Sequence, residues 1–186
     1  MGLENKLEPD NWVDNYSDEL YRYTVTRVTD SGFAEDIVQE TFLSAWRAKV
    51  TYKGEASEKN WLYAICKNKI IDHFRKHSKI VVKPSPVEED IYFDKVEHWR
   101  DETTPNEWGI NYGQPIETKE FYNILELCKK KLNNIQQSVF VMKYMEGIEA
   151  ENICKVLEIT PSNYWVIIHR CKLHLRSCLE KNWINN

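Results

Sequence analysis

One segment of the chain, NWLYAICKNKIIDHFRKHSK at residues 60–79, constrains the fold more than any other. Its apolar residues recur every three or four positions, which is the spacing of one face of an α-helix. These residues are Leu62, Ile65, Cys66, Ile70 and Phe74. A helix of this length would extend about 30 Å. Polar residues lie on another face, so the segment predicts a long helix with one face for a core and one for a partner.

Charge is distributed unevenly along the chain, although the net charge is only −4. Residues 59–79 carry one acid against six Lys or Arg, and residues 121–186 carry six acids against nine. Residues 1–58 and 80–120 are acidic, with twelve acids against six basic residues and ten against four. This alternation predicts two anion-facing modules separated by an acidic connector.

Two further helical patterns precede the basic segment. Apolar residues recur at helical spacing over residues 12–28 and again over residues 33–50, which read FAEDIVQETFLSAWRAKV. Between them a short polar break contains Ser31, which we expect to cap the second helix. Three helices with short connections would pack by their apolar faces, so the pattern predicts a first domain over residues 12–79.

The middle of the chain loses this periodicity. Residues 80–117 contain four prolines and an excess of acids, which favours a linker. Trp99 and Trp108 lie in this span and indicate that it packs on a domain or on a partner. Helical spacing returns in residues 118–182, which we expect to form a second domain.

The second domain ends in a pattern typical of a helix-turn-helix unit. A short helix is predicted over residues 150–157, a turn over residues 158–160, and a long helix from Pro161 to about residue 181. Thr160 is a natural N-cap, and proline is favoured at the first helical position. A short helix, a tight turn and a longer helix is the helix-turn-helix arrangement. The chain therefore predicts an all-α fold of two small helical domains joined by a long acidic linker.

In a helix-turn-helix unit the start of the second helix lies in the major groove of DNA. The side chains that could face bases are Ser162, Asn163, Trp165, Val166 and His169. The side chains that could neutralise phosphates are Arg170, Lys172 and Arg176. Asparagine can read adenine and valine can touch a thymine methyl group. The alternative is an ordinary helical hairpin whose basic residues are solvated.

Metal and enzyme chemistry is weakly supported by the sequence. Cys171, His174 and Cys178 share one predicted helix face, but a fourth zinc ligand is missing nearby. The chain lacks phosphate-binding glycine loops and the GxSxG and HExxH motifs. We therefore expect no metal, no cofactor, no small-molecule substrate and no enzymatic activity.

We also expect no targeting signal in this sequence. The first residues are polar and acidic, which is unlike a signal peptide, and no apolar run is long enough to span a membrane. The five cysteines contain no CxxC pair, so we expect no disulfide framework. These features predict a cytoplasmic protein that is not inserted in a membrane.

Two motifs give the chain a family resemblance. The pattern WLxxIxxNxxxDxxR is matched by Trp61, Leu62, Ile65, Asn68, Asp72 and Arg75, and AEDIVQETFLSAW precedes it. With the C-terminal helix-turn-helix, these motifs resemble the sigma-70 family of bacterial RNA polymerase sigma factors, in particular the small extracytoplasmic-function (ECF) type. The resemblance covers roughly residues 12–79 and 118–182. It implies a transcription initiation factor that directs core polymerase to promoters.

The resemblance also implies roles for individual residues. Asp36, Gln39 and Glu40 would contact the clamp helices of the polymerase β′ subunit, and the C-terminal module would meet the β flap. The loop at residues 49–58 would capture a flipped base, and the helix after it would hold the −10 element. The implied −10 residues are Tyr52, Lys53, Asn60, Trp61, Asn68, Asp72, Arg75, Lys76 and Lys79. The residues named above on the last helix would read the −35 element.

The start of the last helix departs from the family pattern. Family members often carry Thr-Val followed by Lys or Arg there, whereas this chain has Asn-Tyr-Trp-Val-Ile at residues 163–167. Trp165 or Ile167 could therefore serve as a docking surface for a regulator, and an anti-sigma factor is a partner that the resemblance suggests. The alternative function is a stand-alone helix-turn-helix regulator that binds duplex DNA without polymerase.

Overall fold

The computed structural model describes residues 7–78 and 118–184, and every regular element within these two ranges is helical. This confirms the predicted all-α fold class. The predicted linker at residues 80–117, and Lys79 before it, lie outside the described residues. The helices are α1 (Trp12–Val28), α2 (Ser31–Ala48), α3 (Glu58–Ser78), α4 (Thr118–Lys129), α5 (Asn134–Phe140), α6 (Ala150–Leu157) and α7 (Pro161–Leu179).

Shorter helical turns extend several of these elements. One 3₁₀ turn, Pro9–Asn11, precedes α1, and another, Lys49–Thr51, follows α2. Helix α5 continues as a π-helical turn over Val141–Met145, and α7 continues as a second one over Glu180–Ile184. The last helix therefore reaches slightly past the end predicted from the sequence.

Capping residues explain where two of the helices begin. Asp30, in extended backbone, accepts a hydrogen bond from the Phe33 N–H at 3.0 Å and caps α2. The prediction that Ser31 caps this helix is wrong, because Ser31 is already its first helical residue. Thr160 caps α7 by accepting from the Asn163 N–H at 3.2 Å, as predicted, with a proline next to it.

Helix α3 forms as its apolar spacing predicts and lies against α1 and α2. Leu62, Cys66 and Ile70 are completely buried, and Phe74 is nearly so. Burying apolar surface contributes about 25 cal/mol for each Å² removed from water, which stabilises this three-helix packing. We name α1, α2 and α3 the N-terminal group, and α4 to α7 the C-terminal group.

The C-terminal group contains the predicted helix-turn-helix. Glu158 adopts a left-handed conformation (φ 56°) and ends α6, and α7 starts three residues later. Leu157 of α6 and Tyr164 and Ile168 of α7 are buried in the core. Gly147, also left-handed (φ 65°), ends the preceding helix because glycine adopts that conformation without steric cost.

The two groups are packed together around one apolar core. Buried residues from Trp12 in α1 to Ile168 in α7 belong to this continuous cluster. α3 contacts both α5 and α6. A second, smaller cluster joins α4 to the C-terminal half of α7 and contains Cys128, Leu132, Cys171, Leu175 and Leu179.

A disulfide links Cys128 in α4 to Cys178 in α7, with the two sulfur atoms 2.11 Å apart. The cysteine spacing predicted no disulfide framework, and it did not reveal this single bridge. The two cysteines are 50 residues apart in sequence, and only the packing of α4 on α7 brings them together. Within the described ranges, no helix is both long enough and apolar enough to cross a membrane.

Candidate functional site

Helix α2 presents the acidic and amide side chains predicted to contact polymerase. Asp36, Gln39 and Glu40 are exposed, whereas Ile37 and Val38 between them are buried in the core. This alternation follows from the helical period, which directs residues 36, 39 and 40 to the opposite side from residues 37 and 38. The three predicted side chains therefore lie together on one solvent face of a helix that the core holds in place.

A cleft of about 160 Å³ separates this face from α3. Its lining residues are Phe33, Asp36, Ile37, Glu40, Lys69, Asp72, His73 and Lys76. Glu40 and Lys69 form an ion pair across the cleft, with Nζ 3.4 Å from Oε2. The cleft therefore joins two predicted sets of residues, because Asp36 and Glu40 come from the polymerase set and Asp72 and Lys76 from the −10 set.

Two histidines at the cleft, His73 and His77, were not predicted from the sequence as site residues. The rings of His73 and His77 are stacked with centroids 4.1 Å apart, and Phe33 packs against both at 4.8 and 5.0 Å. Burial, and next the neighbouring His77, lowers the pKa of His73 to about 4. His73 is therefore neutral at neutral pH. The spacing of four residues between His73 and His77 was the signal in the sequence that could have identified this pair.

Most of the other predicted −10 side chains on α3 face solvent. Asn60, Asn68, Arg75 and Lys76 are exposed on the surface of the helix. Arg75 Nη2 lies 2.8 Å from Asp72 Oδ1, so these two residues of the motif pair with each other. The ion pair is largely exposed, and such pairs contribute little to stability. The charge of Arg75 therefore remains accessible to a partner.

The loop before α3 is held by aromatic contacts. Tyr52 packs on Trp61 with ring centroids 5.1 Å apart, and Trp61 packs on the buried Trp12 at 6.0 Å. The Tyr52 hydroxyl also donates a hydrogen bond to the Ala56 carbonyl within the same loop. Lys53 points to solvent at the tip. The contact between Tyr52 and Trp61 thus holds this loop against α3, and both side chains remain partly exposed.

Helix α7 presents the predicted −35 residues along one side. Ser162, Trp165, Val166, His169 and Lys172 are exposed. Asn163, Arg170 and Arg176 are half-buried, and Arg176 Nε lies 2.9 Å from Glu180 Oε1. Along this side of α7 the exposed apolar residues lie nearer the N-terminus, and the basic residues lie nearer the C-terminus.

The unusual start of α7 is divided between surface and core. Trp165 is 64% exposed, and its ring meets the buried Tyr164 edge-to-face at 5.2 Å. Ile167 is buried, so the prediction that it could dock a regulator is wrong. A helix turns by about 100° per residue, and two positions after Trp165 the side chain already faces the core.

The suggested metal site is not assembled. Cys178 is bonded to Cys128 and so offers no thiolate to a metal, and Cys171 is buried with its thiol pKa raised to about 12 by burial. Across residues 7–78 and 118–184, no cluster of three or more His, Cys, Asp or Glu is arranged to hold a metal ion.

Protein-family models match a segment in each of the two groups of helices. Residues 12–80 match sigma-70 region 2, and residues 122–175 match sigma-70, region 4. Among solved structures, the chain resembles the sigma factor RpoE in complex with the anti-sigma factor NepR from Bartonella quintana. That likeness has a TM-score of 0.44 and 16% identity, and covers 92% of this chain and 96% of that one.

Curated relatives extend over nearly the whole chain. A protein of Haemophilus influenzae named "Probable RNA polymerase sigma factor" is 30% identical over 183 residues, which are 97% of this chain and 94% of that protein. "ECF RNA polymerase sigma factor SigX" of Bacillus subtilis is 25% identical over 167 residues, covering 90% and 81%. The chain therefore belongs to the ECF subfamily of the sigma-70 family, the RNA polymerase sigma factors that act in transcription initiation.

Proposed function

We propose that this sigma factor binds the β′ clamp helices of core polymerase through Asp36, Gln39 and Glu40, and promoter DNA at the −10 element through α3 and the loop before it. The cleft between α2 and α3 is the observation that carries this assignment. It sets acids of the first surface directly beside Asp72 and Lys76 of the second. Polymerase and DNA would therefore meet on one rigid pair of helices.

The charges of the two surfaces suit these partners. An exposed acidic and amide patch on α2 can pair with basic residues of a protein, and charge complementarity favours both specificity and fast association. Lys69, Arg75 and Lys76 on α3 would neutralise phosphates, which positions DNA without reading its sequence. Base capture falls to the loop at residues 49–58, where Tyr52 and Trp61 offer half-exposed aromatic faces for stacking.

Promoter-directed transcription tests the assignment directly. Purified chain mixed with core polymerase should yield transcripts that start at defined positions on genomic DNA, whereas core polymerase alone should not. Sequencing the transcript ends would give the promoters. Transcripts whose starts are independent of the added chain would refute the proposal.

Three further elements complete the proposal. The C-terminal group would meet the β flap and read the −35 element. Sigma factors are transcription factors rather than enzymes, so the proposal contains no catalytic step, cofactor or small-molecule substrate. The protein would act in the cytoplasm, where polymerase and promoter DNA are found, and an anti-sigma factor would hold it inactive, as is frequent in the family.

The apolar start of α7 suggests how the −35 element is read. Trp165 and Val166 are exposed at the N-terminal part of the recognition helix, and apolar side chains there can contact thymine methyl groups in the major groove. The edge-to-face packing on Tyr164 limits the rotamers of Trp165, so little side-chain conformational entropy is lost when Trp165 binds DNA. The proposal therefore includes a −35 element that contains thymine.

Replacing −35 thymines by deoxyuridine, which lacks only the methyl group, should weaken holoenzyme binding about fourfold for each contacted methyl. This follows from about 0.8 kcal/mol for a buried methylene-sized group. Holoenzyme containing Trp165→Gln should be indifferent to the same replacement, as measured by equilibrium binding to promoter fragments. Deoxyuridine placed between the two elements is the control. A −35 element without thymine, or an equal methyl effect in both proteins, would contradict this reading.

A further inference from the structure

A buried ion-pair cluster joins the two groups of helices. The Glu146 side chain, in the segment between α5 and α6, is only 3% exposed although it belongs to a charged residue. Its carboxylate accepts hydrogen bonds from Arg27 Nε at 2.5 Å and from the Tyr23 hydroxyl at 2.8 and 2.9 Å. Lys67 Nζ lies 3.3 Å from the carboxylate and donates to the Glu146 backbone carbonyl at 2.9 Å. Glu146 therefore binds both α1 and α3.

The cluster is itself held in shape by the N-terminal group. The Arg27 guanidinium lies over the Tyr23 ring, 3.5 Å from its centroid, and the Tyr63 ring meets Tyr23 edge-to-face at 5.1 Å. Burial and the hydrogen bond to Glu146 raise the pKa of the Tyr23 hydroxyl, which therefore stays a proton donor. The N-terminal group thus supplies the two cations and the hydroxyl group that surround this carboxylate of the C-terminal group.

Two further side chains of the C-terminal group bind the end of α1. The last carbonyls of a helix lack partners within the helix itself. Lys129 Nζ, on a side chain that is 2% exposed, donates to the Thr26 carbonyl at 2.6 Å. Gln137 Nε2 donates to the Arg27 carbonyl at 3.3 Å and to Thr29 Oγ1 at 3.0 Å. The C-terminal group therefore completes the hydrogen bonding of α1.

This arrangement is too compact to contact a whole promoter. Elements centred at −10 and −35 are about 25 base pairs apart, which is about 85 Å at 3.4 Å per base pair. A single compact body of about 140 residues has a radius of gyration of about 14 Å and is therefore roughly 40 Å across. The two groups must separate before α3 and α7 can contact both elements.

We infer that the Glu146 cluster is an intramolecular latch, which keeps the free sigma factor closed together with the apolar core that the two groups share. Both must open before the protein can contact both promoter elements. The need to contact both elements at once rests on the proposed function, whereas the contacts of Glu146 are independent of it. Polymerase would select the open form, so its apparent affinity is reduced by the fraction of protein that is closed. A buried ion pair suits such a role, because it is specific in geometry and costly to leave half-paired.

Spin labels in the two groups would measure the opening. Asn15 in α1 and Asn152 in α6 are exposed, and the three free native cysteines are buried, so Asn15→Cys and Asn152→Cys can be labelled selectively. Pulsed electron paramagnetic resonance should give one short, narrow distance distribution for the free protein. Adding Glu146→Lys, which places a third cation beside Arg27 and Lys67, should give a long, broad one.

Matched variants separate the latch from general damage. Glu151→Lys makes the same charge change on α6 at an exposed residue whose ion pair is with Lys155 in the same helix, and should leave the distance unchanged. Arg27→Glu should open the protein from the other side of the contact. Combining Arg27→Glu with Glu146→Arg should restore most of the short distance. Circular dichroism would verify that each variant keeps its helices.

Polymerase binding gives the functional outcome. Core polymerase should lengthen the distance in the wild-type protein, and Glu146→Lys should tighten its apparent binding about tenfold, because less free energy goes into opening. A helical Glu146→Lys variant with the wild-type distance would overturn the latch, as would an opened variant that binds polymerase no better. Failure of the wild-type protein to bind polymerase would instead refute the proposed function and leave the measured distances standing.

Discussion

Asp36→Arg should weaken the binding of core RNA polymerase about 100-fold and abolish promoter-directed transcription at limiting protein. Asp36 is exposed on the same face of α2 as Gln39 and Glu40, while its neighbour Ile37 is buried and holds the face in place. Breaking a charge pair that becomes desolvated in an interface costs about 2–5 kcal/mol, and 100-fold corresponds to about 2.7 kcal/mol. Fluorescence anisotropy with labelled sigma factor and core polymerase would measure the loss.

Asp14→Arg is the matched control for this experiment. Asp14 is an exposed acid on α1, outside the predicted polymerase patch, so the same change in net charge should leave polymerase binding within about twofold. The pair of variants also tests the alternative of a stand-alone DNA-binding regulator. A regulator that uses only α7 would keep its affinity for duplex DNA and its activity when Asp36 is reversed. Equal polymerase binding by both variants would remove Asp36 from the interface.

Leu62→Ala should lower the free energy of unfolding by about 3 kcal/mol. Leu62 is completely buried on α3, where the helix meets α1 and α2. Truncating a buried leucine loses transfer free energy and leaves a cavity, which together cost about 2–5 kcal/mol. The loop at residues 49–58 rests on Trp61, the residue before Leu62, so promoter opening should also fall at temperatures where the wild-type protein is stable.

Denaturant titration followed by circular dichroism would measure this loss of stability. Leu43→Ala makes the identical substitution on α2 at a side chain that is 57% exposed, and should cost less than about 0.5 kcal/mol. A similar loss in both variants would show that burial in this core does not set the stability of the N-terminal group.

Local patterns in the sequence predicted most of the individual helices. The apolar residues of α3 recur at helical spacing because one side of the helix packs on a core, and the same residues are buried in the structure. Thr160 before Pro161 predicted the start of α7 because capping depends on neighbours within one turn. The same local argument misplaced the cap of α2 by one residue, since Asp30 and Ser31 are both good capping residues.

Contacts between distant parts of the chain could not be predicted in this way. The disulfide between Cys128 and Cys178, and the ion pair between Arg27 and Glu146, depend on how whole helices pack, and no periodicity encodes that. Ile167 is different, because helical rotation places it on the same buried face as Tyr164 and Ile168, so local periodicity could have predicted its burial. The predicted polymerase and −10 residues came from family motifs, and the −35 residues came from the helix-turn-helix pattern. The meeting of the polymerase and −10 sets at one cleft is visible only in three dimensions.

The shared core restricts how this protein can be recombined with its relatives. Because buried residues of both groups belong to one cluster, neither group is an interchangeable cassette. A chimaera that takes α4 to α7 from a relative without an acid at the position of Glu146 would leave Arg27 and Lys67 facing a mismatched surface. Substitutions on the two sides of the contact are therefore expected to be inherited together, and the history of each half constrains the other.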